Sequence, residues 1–103
     1  MQQIITNRSV NADIISNVKN TINDATIATQ NGDKSTALAK AQAADISQYQ
    51  IGTDLKTWNG AKYLQIENAF NALQNAANNG DTAGTKVAQN TINRILDEYA
   101  KTL

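Results

Sequence analysis

Asn-Gly occurs three times in the chain, at Asn31-Gly32, Asn59-Gly60 and Asn79-Gly80, and no other feature constrains the fold as tightly. Asn and Gly both tolerate a positive φ, so each pair is strong turn chemistry. Gly just past a helix end is also the usual left-handed cap. The three stops cut 103 residues into four pieces, each of helical length. Asp33 and Asp81 follow the first and third stops at once. A carboxylate there accepts hydrogen bonds from the first free N–H groups of a following helix and suits its dipole.

Each piece has apolar residues at helical spacing. In the first they are Ile14, Ile15, Val18, Ile22 and Ala25, with Thr29. In the second they are Leu38, Ala41, Ala44, Ile51, Leu55 and Trp58, interrupted by polar Gln48. Tyr63, Ile66, Phe70, Leu73 and Ala77 form the third face; Ala88, Ile92 or Thr91, Ile95 and Tyr99 form the fourth. No stretch alternates with period two. The spacing predicts helices near 10–30, 34–58, 61–78 and 82–102. Gly52, which costs about 1 kcal/mol mid-helix relative to Ala, is expected to bend or split the second.

A shift of 48 residues aligns "NTINDATIATQNGD" (20–33) with "NAFNALQNAANNGD" (68–81), with 6 of 14 positions identical. Both segments are a helix end, an Asn-Gly stop and an Asp start. The expected fold is therefore all-α: two helical hairpins in one antiparallel four-helix bundle, a single domain over 1–103.

Composition narrows the function classes. There is no proline to break the helices. Nine Lys and Arg balance nine Asp and Glu, so no basic surface stands out for nucleic acid. No apolar run approaches the length of a membrane span. The opening "MQQIITNRSV" lacks the charged segment and apolar core of a Sec-type signal. There is no Cys and no His. That removes disulfides, thiolate ligands, and the commonest general base and metal ligand. Frequent Asn, Gln and Thr with few Lys and Glu point to an extracytoplasmic or secreted setting and leave a cytoplasmic one open.

Trp58, the chain's one tryptophan, opens "WNGA" (58–61). Read from the residues, Trp58 is the last core residue of the second helix and Gly60 one of three equivalent caps. The segment also resembles the central motif of the Trp-x-Gly helical hairpin family of type VII secretion substrates. That resemblance implies a turn between antiparallel helices, export as a dimer, and recognition of the turn by a secretion machinery. A second stretch, "IENAFNALQNAANNGD" (66–81), resembles a helix in the extracytosolic helical domains of iron permeases. It implies hairpins with Gly-Asp turns and metal held by carboxylates, with Glu67 on the matching helix. Tyr49, Gln50 and Gly52 stand where that family carries acids.

No catalytic constellation is visible. The serines have no histidine partner, "NGD" lacks the Lys-Ser/Thr of a phosphate loop, and Glu67, Asp97 and Glu98 read as a solvated face. No cofactor and no metal ligand set is expected. The aromatic residues Tyr49, Trp58, Tyr63 and Tyr99 are the candidate partner-binding side chains, since aromatic rings anchor interfaces. The expectation is a non-enzymatic interaction or structural protein that presents a helix face to a protein partner or to itself. The alternative is an extracytoplasmic domain handling a small ligand or metal.

Overall fold

The computed structural model describes the backbone of residues 2–103 and the side chains of residues 10–103. Helix α1 (Gln2–Gln30) is followed by α2 (Lys34–Gln48), a 3-10 turn (Tyr49–Ile51), α3 (Gly52–Trp58), α4 (Gly60–Asn79) and α5 (Thr82–Ala100). The segments α2 and α3 form one bent leg, so the chain is an antiparallel four-helix bundle of two hairpins. Leg α1 packs on α2 and α5, and α4 packs on α5 and α2. No helix among the described residues is long and apolar enough to cross a membrane.

The expected faces meet in the core. Val18, Ile22, Ala25, Ala41, Ala44, Leu55, Ile66, Leu73, Ala77, Ile92 and Ile95 are sealed from solvent. Each fully buried Ile, Leu or Phe contributes on the order of 1.5–3 kcal/mol. On α2 the buried positions are all alanine until Gln48, namely Ala37, Ala41 and Ala44. Their small side chains let α2 lie close to α1, and Phe70 of α4 is the bulkiest of the fully buried side chains.

The first and third stops are the same structure twice. Gly32 and Gly80 are left-handed, with φ of 76° and 68°. Asp33 N–H donates to Ala28 C=O and Gly32 N–H to Thr29 C=O. In the other turn Asp81 N–H donates to Ala76 C=O and Gly80 N–H to Ala77 C=O. This is the paired closure of a Schellman motif. Each Asp then caps the next helix: the Asp33 carboxylate accepts from Thr36 N–H at 3.1 Å and that of Asp81 from Gly84 N–H at 2.9 Å. Every one of these partners is related by the 48-residue shift.

The second stop differs, which corrects the expectation of three equivalent caps. Gly60 is not left-handed; it is the first residue of α4. Asn59 makes the turn alone, in extended conformation. Its N–H closes α3 on Leu55 C=O, its C=O accepts from Tyr63 N–H, and its side chain caps α4 by accepting from Lys62 N–H. The bend in the second leg is also displaced from Gly52. Gly52 has ordinary helical angles, and the departure is at Ile51, with φ −113° and ψ 11°. Finally, α1 begins at Gln2 rather than near residue 10; "QQIITNRSV" contains no Pro or Gly to stop a helix.

Gly80→Ala is expected to lower stability by about 1–2 kcal/mol, the cost of a Cβ in the left-handed region. Gly60→Ala is expected to leave it unchanged or raise it by up to about 1 kcal/mol, because a Cβ there meets nothing within 4 Å. Urea unfolding midpoints measure both. Equal losses would restore the reading of three equivalent caps.

Candidate functional site

The four aromatic candidates fall into two groups. Trp58, at the end of α3, packs edge-on against Tyr99 of α5, with ring centroids 5.6 Å apart. Tyr99 is only 4% exposed. Its hydroxyl accepts from Asn11 Nδ2 at 3.1 Å, and the same amide donates to Asp54 Oδ2 at 2.8 Å. Burial raises the Tyr99 phenol above its usual pKa, the Asn11 hydrogen bond opposes that, and Asp54 adds to it. Through Asn11, then, α1, α3 and α5 are tied together at this end of the bundle. Tyr49 and Tyr63 lie elsewhere, on the seam between α2 and α4. Tyr49 is 55% exposed, Tyr63 is half-buried, and Lys56 Nζ sits 5.6 Å over the Tyr63 ring.

That seam is the most polar part of the interior. Gln48 is fully buried, and neither its amide nitrogen nor its oxygen has a hydrogen-bond partner. One turn before it, Asp45 accepts from Gln74 Nε2 through Oδ2 at 3.2 Å, while its buried Oδ1 is unpartnered. Across the seam the buried Oε1 of Glu67 is unpartnered as well. Burial first, then the Glu67 charge, push the Asp45 carboxyl above the usual carboxylate range, against the Gln74 hydrogen bond. The Tyr63 phenol is raised foremost by its polar contact with Glu67, one turn on, and further by burial and nearby charges. The Tyr49 phenol is raised by the charges of Asp45 and Glu67, in that order, and then by burial. The charges of Asp45 and Glu67 thus act together on both seam tyrosines.

Asp97 and Glu98 do not join Glu67. Asp97 pairs with Lys19 and Glu98 with Lys62, both at the surface. The Lys62 hydrogen bond, countered by burial and helped by its charge, holds the Glu98 carboxyl below its usual value. Asp24 and Lys40 form a third, exposed pair at 3.7 Å. Sequence reading missed Asp45 and gave Gln48 no role. The signal was present in the repeat, because the 48-residue shift sets Gln48 against buried Leu96.

A second feature lies on the outer face of the second hairpin. Ala69, Ala72 and Ala76 of α4 and Ala88 of α5 floor a shallow trough. Gln65, Asn68 and Asn75 line one side, Asp81 and Arg94 also line it, and Val87 stands in it 66% exposed. No protein-family model, curated protein or solved structure compared with the chain matches it significantly.

Two outcomes test the seam. Gln48→Leu, which copies Leu96, is expected to stabilise the chain by about 1–3 kcal/mol, the cost of an unpartnered buried amide. A loss would mean that the amide is satisfied. For Asp45 the folded carboxyl binds its proton more tightly than the unfolded one, so folded protein holds more protons in the window above the ordinary aspartate pKa of about 3.9. Its contribution is therefore most favourable at low pH and is lost as pH rises through that window. Asp45→Asn is expected to be more stable than wild type at pH 7 and to lose that advantage below about pH 4. A difference in urea midpoints that does not change with pH would make Asp45 an ordinary solvated acid.

Proposed function

We propose that the chain is a non-enzymatic helical interaction module that pairs the outer face of its α4–α5 hairpin with a second copy of itself. The observation that carries this is the trough. Its alanine floor lets another helix approach closely, and Val87 supplies an apolar side chain with nothing covering it. Helix-in-groove docking uses such surfaces.

The charges favour a copy as occupant. Asp81 and Arg94 are the charged residues lining the trough. They lie 13 positions apart, Asp81 capping the start of α5 and Arg94 within it, about 20 Å along a helix, with Val87 near the midpoint. A twofold axis through Val87 sets Asp81 of each copy against Arg94 of the other, the self-complementary arrangement of isologous dimers. Zero net charge means that copies do not repel at long range. One hairpin face is small among specific interfaces, so the pairing is weak and concentration-dependent. The likeness of Trp58-Asn59-Gly60 to a family exported as dimers supports the same reading. The absence of cysteine and the scarcity of Glu support an extracytoplasmic or secreted setting.

Sedimentation equilibrium tests the proposal. Wild type is expected to self-associate as concentration rises, Val87→Asp to remain near the 11.1 kDa of one chain, and Arg94→Glu to pair more weakly. Added salt should also weaken wild-type pairing, since the Asp81–Arg94 contacts would be exposed. A wild-type mass that stays at one chain up to about millimolar concentration overturns the reading; a protein of another kind would then be the only partner left to seek.

A further inference from the structure

The α2–α4 seam holds three unpartnered oxygen donors that the trough does not use. The Asp45 Oδ1 and Glu67 Oε1 atoms are buried, and neither carboxylate has a Lys or Arg ion pair among the described residues. The carboxylates that do pair take Lys19, Lys40 and Lys62. The third donor is independent of the acids. Gln48 is 0% exposed, with both ends of its amide unpartnered. The amide looks into the same space as the Tyr63 hydroxyl: a methyl built on Gly52 would sit 3.9 Å from Gln48 Nε2 and 3.6 Å from Tyr63 Oη. Turning the amide over presents its carbonyl oxygen to that space. Tyr63 in turn contacts Glu67, and the Glu67 charge acts on Asp45.

We propose that this seam binds one hard divalent cation of the calcium type, held by the carboxylates of Asp45 and Glu67 and the side-chain carbonyl of Gln48. Two negative charges match a divalent ion. Every donor is oxygen, which selects calcium-like ions over the softer metals that take imidazole or thiolate. Binding would also explain why a Gln is retained where the other hairpin carries Leu96. A site with two carboxylates belongs to the weak class, with Kd on the order of 10⁻⁴–10⁻³ M. The proposal stands apart from self-association, since the trough lies on the other side of α4.

Terbium luminescence, excited through the tyrosines, is the direct probe, because Tyr49 and Tyr63 flank the seam. Full-length wild type in metal-free buffer is expected to take up one Tb³⁺ with saturable emission, and millimolar Ca²⁺ to displace it. The Asp45→Asn, Glu67→Gln double variant is expected to bind at least tenfold more weakly. Asp24→Asn, in the exposed pair with Lys40, is expected to stay within twofold of wild type. Circular dichroism checks that each variant is folded, and the neutral double variant should unfold no more easily than wild type without metal. Ca²⁺ should raise the melting temperature of wild type and leave that of the double variant unmoved. Emission that Ca²⁺ does not displace, or that persists equally in the double variant, overturns the proposal. So does the absence of any wild-type response, which would assign the amide to water alone.

Discussion

The backbone hydrogen bonds at the two Asn-Gly-Asp turns are the constraint from which the rest of the structure follows. A helix end leaves carbonyls without partners, and the next helix start leaves N–H groups in the same position. Here three residues settle both. The left-handed Gly brings its own N–H and that of the following Asp back onto the last carbonyls, and the Asp side chain takes up an N–H of the next helix. No residue is spared for a loop, so α1 must lie antiparallel against α2, and α4 against α5. The same turn with the same atoms, 48 residues apart, also sets the register in which the two hairpins meet. Val18, Ile22, Ala25 and Ala28 in the first stand where Ile66, Phe70, Leu73 and Ala76 stand in the second, and all eight are buried.

The faces of the four legs were legible because a helix repeats every 3.6 residues and the chain contains no proline to interrupt that pattern. The middle turn was misread because two letters were taken to have one meaning. After Gly32 and Gly80 comes an Asp that can cap; after Gly60 comes Ala61. Asn59 therefore supplies the cap itself, and Gly60 passes into the helix. The bend at Ile51 was expected one residue later because Gly52 is the visible helix-weakening residue, yet its φ and ψ are regular. The seam was the least legible part. Asp45 looks like any surface acid on an alanine-rich helix, and only the tertiary approach of α4 sets Glu67 against it. Gln48 could be picked out as a polar residue on an apolar face; its lack of partners could not.

That amide sets the seam in tension with the core. A domain of this size has about 5–15 kcal/mol of net stability. An unpartnered buried amide removes about 1–3 kcal/mol of it, and Asp45 and Glu67 add mutual repulsion in a partly desolvated place. The Trp58–Tyr99 cluster handles burial differently. Tyr99 is just as deep, but Asn11 bonds its hydroxyl and Trp58 covers its ring. Buried polar groups in one bundle thus follow opposite rules: satisfied beside Trp58 and Tyr99, unsatisfied at the seam. Only the unsatisfied arrangement leaves lone pairs for something else to take.

Helix α4 keeps these demands apart by rotation alone. Each residue advances about 100° around the axis. Ile66, Phe70, Leu73 and Ala77 cluster on the core side. Tyr63, Glu67 and Gln74 lie about 70° around from them, toward α2, on the same 100° arithmetic. Asn68, Ala72, Asn75 and Asn79, which line the trough, fall about 160° from the core in the other sense. No residue serves both seam and trough. A charge placed at Val87 therefore acts on pairing without reaching Asp45 or Glu67, and neutralising those acids leaves the trough as it was. The two surfaces can fail or succeed separately because one helix has turned its three faces to three different surroundings.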